Sequence, residues 1–168
     1  MGVTARRGGH LMSVSLREIT AGTVRQVTGL SVREDQMRFV ASNAVSLAEA
    51  LFYQEAWYRA IYSGEELAGF VLIYDESLLV PAPEEPEAGL WRFMIDARFQ
   101  GQGIGKAALR QVIEHVRSKG IFTRFGTSFV PGPGSPEQFY LGMGFRPNGN
   151  VDEQGEVVLE LLLREAAV

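Results

Sequence analysis

RFQGQGIGKAALRQV, residues 98–112, sets three glycines in five residues, then a lysine, then an apolar-periodic run. The segment before it, GLWRFMID (89–96), is apolar at nearly every position, the pattern of a strand covered on both faces. The segment after it carries Ile104, Ala108, Leu109, Val112, Ile113 and Val116 at helical spacing. Lys119-Gly120 then supplies a cation and a glycine where such a helix should stop. The reading is a strand ending at Asp96, a short turn, and a helix from near Gly103. The first amides of a helix have no partner inside it, and the helix dipole favours negative charge beyond that end. Gly101, Gly103 and Gly105 let the backbone approach a ligand with no Cβ in the way, and Lys106 adds positive charge. Two other phosphate loops do not match. A G-x-x-x-x-G-K-[ST] loop ending at Gly105-Lys106 needs glycine where Gln100 stands and Ser or Thr where Ala107 stands. A G-x-G-x-x-G fingerprint from Gly101 needs glycine where Lys106 stands, and it belongs near the first strand of its fold.

Working outward, VSLREIT (14–20) reads as a first strand and residues 21–56 lack strand character. Ser46 with Glu49 three residues on has the form of a capping box, which predicts a helix from about Leu47. WYRAIYSGEELAGFVLIYDE (57–76) reads as a hairpin about Ser63-Gly64-Glu65, followed by a proline-rich acidic loop. IFTRFGTSF (121–129) alternates as a strand. Ser135 as N-cap and Pro136 at the first helical position predict a short helix before Gly144, and EVVLELLL (156–163) closes the chain's pattern as a strand. The strand–helix–strand unit favours a parallel pair, the hairpin an antiparallel one, so the expectation is an α/β domain with one mixed sheet over residues 14–168. Residues 1–13 are expected to be a disordered tail.

The 168 residues are 46% hydrophobic with a net charge of −4, enough for a core and with no basic footprint for nucleic acid. There is no cysteine, so disulfides, thiolate metal sites and a cysteine nucleophile are excluded. His10 and His115 do not form a metal-ligand pair, and no metal is expected. No apolar run is long enough to span a bilayer, and the start lacks a secretory h-region, so a cytoplasmic protein without membrane attachment is expected.

QGQGIG (100–105) resembles the [Q/R]-x-x-G-x-[G/A] motif of the GCN5-related N-acetyltransferases, with Gln100, Gly103 and Gly105 at its defining positions. FYLGMGF (139–145) resembles that family's Y-x-x-x-G-F segment through Tyr140, Gly144 and Phe145. FVASNAVSLAEA and LWRFMID further resemble bacterial diamine or spermine/spermidine acetyltransferases. The resemblance covers residues 14–163. It implies a three-layer α/β/α fold with a splayed central sheet, and acetyl transfer from acetyl-CoA to a small-molecule amine, polyamine-like acceptors being favoured. It places the cofactor's pyrophosphate on the glycine-loop amides of Gln102, Gly103, Ile104, Gly105 and Lys106, with Gln100 and Gly101 in the same cofactor-binding set. It places the pantetheine arm along Phe93, Met94 and Ile95. Tyr140 is implied as the proton donor to the leaving thiolate, and a phenol is a proton donor at neutral pH. A homodimer is an assembly the resemblance allows.

Two positions depart from the family pattern. Arg92 stands where a glutamate base is common, and an arginine is not a general base. Ser135 stands where an asparagine often contacts CoA; its hydroxyl either takes that role or only caps the helix. An acceptor site for cationic amines should offer carboxylates, and Glu34, Asp35, Glu49, Glu55, Asp75 and Glu76 are the candidates. The rival reading is a non-catalytic or regulatory acyl-CoA-binding module.

Overall fold

In the computed structural model, which describes residues 3–7 and 10–164 (backbone alone for 3–7 and 10–12), every strand joins one eight-stranded sheet. Strands β1 (Val3–Arg7), β2 (His10–Arg17), β3 (Ala56–Ser63), β4 (Glu66–Asp75) and β5 (Ala88–Ile95) lie side by side in chain order and pair antiparallel. Then follow β6 (Arg124–Phe129), β8 (Val157–Leu162) and, at the edge, β7 (Arg146–Val151). The hairpin read about residues 63–65 is the β3–β4 connection, as its turn chemistry requires.

The long helix α3 (Ile104–Ser118) buries the six side chains expected of it and Ala107 as well. With α4 (Glu137–Gly142) it covers one face of the sheet, over a core that includes Val71, Ile73, Phe125, Phe145 and Leu159. The short helices α1 (Val24–Thr28) and α2 (Asn43–Ala50) cover β3, β4 and β5 on the opposite face, over Val27, Ala60, Phe70, Leu72 and Met94. The result is the three-layer, mixed-sheet architecture expected.

One contact decides what the fold can hold. The β5–α3–β6 unit forms the predicted parallel pair, yet β5 and β6 are joined in ladder only at Gly89 and Gly126. From Leu90 to Ile95 the β6-facing edge of β5 has no ladder partner, and the sheet splays there. The ring of Tyr74 lies across the joined end. A Cβ on Gly89 would stand 2.4 Å from its hydroxyl and 2.5 Å from two ring carbons, so that position needs glycine, while one on Gly126 would stand 3.3 Å from the hydroxyl, a tight fit.

Four expectations need correction. Within the span read as a disordered tail, Val3–Arg7 pairs antiparallel with β2 from Arg7 opposite His10 to Val3 opposite Val14. Residues 1, 2, 8 and 9 of that span lie outside the described residues. The helix placed from Leu47 starts at Asn43. Its cap is Ser42, whose hydroxyl accepts from the Val45 amide at 3.3 Å, while Ser46 is buried inside the helix. Burial of Asn43, whose amide donates to the Val27 carbonyl at 2.9 Å, draws that first turn onto α1. The helix expected to be capped by Ser135 is capped at Pro136, with no side-chain bond. Strand β7 was not expected, because RPNGNV has no alternation and is exposed throughout. It forms by adding to β8, and at a sheet edge Pro147 interrupts nothing on its outer side.

Candidate active site

Asp96 closes β5. Its buried carboxylate accepts from the Ser31 amide at 3.1 Å, the Arg98 amide at 3.0 Å and Arg98 Nε at 2.7 Å. Burial raises its pKa, but these hydrogen bonds outweigh it and hold the carboxyl below its usual range. The chain turns through Ala97–Phe99 and enters the glycine loop. Gly101 and Gly103 have φ of 74° and 80°, the left-handed region, and nothing lies within 4 Å of where a Cβ would stand on either. Gly105 differs: its Cβ would come within 3.3 Å of Ile95, so the third glycine allows close packing of α3 on β5. The first bond across the helix start runs from the Ala107 amide to the Gly103 carbonyl, so the amides of Ile104, Gly105 and Lys106 precede it and have no helical partner.

Above this loop and along the splay lies a cavity of about 1440 Å³. It gathers Phe93, Met94 and Ile95 from β5, Gln100, Gly101, Gly103, Ile104, Gly105 and Lys106 from the loop, and Ser135 and Tyr140 from the second motif. Gln102 alone of the expected set is outside the lining. Its side-chain amide turns back to the Arg98 carbonyl at 3.3 Å, and only its backbone remains available to the loop. The Gln100 amide is also engaged, donating to the Ile95 carbonyl at 2.9 Å and to Gln36 Oε1 at 2.7 Å. Its side chain braces the loop against the end of β5 and the segment Glu34–Phe39. Because Ser135 caps nothing, its place in the cavity wall leaves the hydroxyl free of that duty.

Tyr140 is 6% exposed, packed edge-on against Phe139 and Phe145, and hydrogen-bonded to the Thr127 side chain. Burial pushes its phenol up to about 12, and the charge of Glu156 adds to the rise. Phe93 stacks on Phe139 at 5.9 Å, which joins β5 to α4 across the splay. Arg92 sends one guanidinium nitrogen to the Trp91 carbonyl at 3.0 Å and another to Glu49 at 3.4 Å.

Of the six carboxylates named from sequence, only Glu55 lines the cavity. Asp75 is wholly buried elsewhere, paired with Lys119, and Glu49 is taken by Arg92. The other cavity acids are Glu87, Asp152, Glu156 and Glu160, which sequence reading passed over. Thr127 and Gln36 were also missed. Thr127 had a signal: it is the one polar residue in the apolar alternation Phe125, Thr127, Phe129. Among the described residues no group of His, Cys, Asp and Glu is placed to hold a metal, and no helix is long and apolar enough to cross a membrane.

The model of the acetyltransferase (GNAT) family matches residues 26–145, which include the glycine loop, the splay and Tyr140. The chain belongs to that family. It is 28% identical over 158 residues to a spermine/spermidine N(1)-acetyltransferase of Bacillus subtilis, covering 88% of this chain and 97% of that one. Its fold resembles the GNAT domain of S. lividans PAT with a TM-score of 0.72, at 18% identity over 96% of both chains. It also resembles PaiA N-acetyltransferase of Thermoplasma acidophilum, solved in complex with coenzyme A. There the TM-score is 0.61 at 16% identity, over 90% of this chain and 99% of that one. Family membership supports acetyl transfer from acetyl-CoA to an amine as the general activity.

Proposed function

We propose that this chain transfers acetyl from acetyl-CoA to a primary amine of a small polycation, polyamine-like in charge, by direct attack in a ternary complex. The observation that carries the reading is the splay between β5 and β6, with a buried, hydrogen-bonded phenol at its wall. The open cradle at Gly101 and Gly103 and the unpartnered amides of Ile104, Gly105 and Lys106 suit a pyrophosphate. The ladder-free edge of Phe93, Met94 and Ile95 suits the amide-rich pantetheine arm, and an amide there polarises the thioester carbonyl. Bound in this way, acetyl-CoA supplies the activated acyl group. Holding both substrates in one cavity removes much of the entropic barrier. Tyr140 holds the proton that the departing thiolate needs. Glu55, Glu87, Asp152, Glu156 and Glu160 give the cavity carboxylates for a polycation, and the 28%-identical relative described as a spermine/spermidine acetyltransferase supports the same acceptor class.

A second reading, a CoA-binding module without transfer, draws on the Arg92–Glu49 pair at the place where the family often has its base. One experiment separates the two. Acetyl-CoA is expected to raise the melting temperature while ATP and NAD leave it unchanged, and equal shifts with all three would overturn the cofactor assignment. CoA release is then followed with spermidine, spermine, amino acids and aminoglycosides. Fastest release with the polyamines is the expected result. A thermal shift with no release from any amine identifies the binding module.

A further inference from the structure

We infer that Glu156, on the turn leading into β8, is the general base that deprotonates the acceptor ammonium, held in place by Ser128. This deepens the proposed acetyl transfer and rests on it.

The argument starts from the alternation of β6. Thr127 and Ser128 are consecutive, so their side chains leave opposite faces of the strand. Thr127 lies on the α3–α4 face with Phe125 and Phe129 and holds Tyr140. Ser128 lies on the other face, and its hydroxyl donates to Glu156 Oε2 at 2.5 Å. Two neighbouring residues at the splay therefore hold a phenol on one side and a carboxylate on the other. Acyl transfer to an amine needs one group to take a proton from the nucleophile and another to give one to the leaving thiolate, and these two side chains supply one of each. Glu156 is half-buried, lines the cavity, and has no other side-chain partner among the described residues, which leaves Oε1 open to an amine.

The remaining cavity carboxylates are less well placed. Glu160 is held by Asn148 at 3.0 Å and Arg124 at 3.4 Å. Asp152 Oδ1 accepts the amides of Gln154 and Glu156, each at 2.9 Å. Glu55 precedes β3, which does not border the splay, and Glu87 is exposed. Arg92 turns away to Glu49, so β5 contributes no carboxylate of its own.

The proton balance closes with these two groups. Glu156 Oε1 takes a proton from the acceptor ammonium. The freed nitrogen lone pair forms the C–N bond at the thioester carbonyl carbon. The C–S bond then breaks with its electron pair on sulfur, and Tyr140 Oη protonates that thiolate. Of the two protons then on the acylated nitrogen, one restores the phenol and the other stays in the amide, and the one on Glu156 passes to solvent. Per turnover one proton is released.

Wild-type turnover of spermidine tests the underlying acetyl transfer by itself. Given that turnover, Glu156→Gln is assayed with spermidine and with 2,2,2-trifluoroethylamine, an amine uncharged at neutral pH. The expected result is a loss of about a hundredfold with spermidine, little loss with the uncharged amine, and unchanged acetyl-CoA binding. Retained turnover of spermidine, or equal loss with both amines, overturns the inference. Ser128→Ala is expected to show the same selectivity with a smaller loss. Should Glu156→Gln fail to fold, Ser128→Ala decides: a loss confined to spermidine supports the base, and no loss or an equal one overturns it.

Discussion

Tyr140 shows how one residue acquires its chemistry from its surroundings. Its ring is part of the core under α3 and α4, and its hydroxyl reaches Thr127. A buried phenol pushed up to about 12 remains protonated across the physiological range, as the proposed proton donor must. Tyr140→Phe keeps the packing and removes the proton. Turnover is expected to fall about a hundredfold with acetyl-CoA binding retained, measured by CoA release and thermal shift; unchanged turnover would take Tyr140 out of the mechanism. The same shift makes an alkaline signature. The unfolded chain ionises this group near its ordinary value of 10 and the folded chain only near 12. Its contribution to stability is thus complete below about pH 10 and is lost as pH rises through the folded value. Melting curves of Tyr140→Phe are expected to flatten over that range relative to wild type. The motif made Tyr140 visible in the sequence. Glu156 was not visible, because its position depends on a hydrogen bond to Ser128, 28 residues earlier in the chain.

At the scale of elements, helix α3 and its loop were the most legible. Apolar periodicity is a local property, and all six predicted side chains are buried. The caps of α2 and α4 were less legible. Serines compete for the same role within a few residues, and tertiary contacts such as Asn43 to Val27 choose between them. Strand β7 has no pattern of its own and exists through its ladder with β8. The pairing of β5 with β6 is the element-level feature on which the proposed function rests. Two glycines meet there beside the Tyr74 ring, at the single point where the parallel strands pair. Gly89→Ala would force a Cβ into that ring. A destabilisation of about 1–3 kcal/mol is expected from denaturant unfolding.

Across the whole molecule, the two ends of the sheet have different tasks. At the glycine-loop end the sheet opens. At the far end β4 is tied to α3 by Asp75, which is wholly buried at the close of β4, pairs with Lys119 at the end of α3, and accepts the Ser77 hydroxyl at 2.5 Å. Lys119→Ala would leave that carboxylate without its cation. The expected cost is about 3 kcal/mol, or a melting temperature lower by roughly 6–12 °C, checked by calorimetry. The sequence offers Asp75 as an acceptor-binding acid, and only its depth in the fold shows its structural use. What the residues alone determined is the local chemistry: a glycine-rich turn between a buried strand and an amphipathic helix, a phenol in a second motif, and no thiol. These follow from spacing and side-chain type, which are properties of short segments. What the tertiary structure decided is which groups meet. The splay, the Thr127–Tyr140 and Ser128–Glu156 pairs and the choice of cavity carboxylates all depend on contacts between distant segments, and those are set by how two cores pack on one twisted sheet.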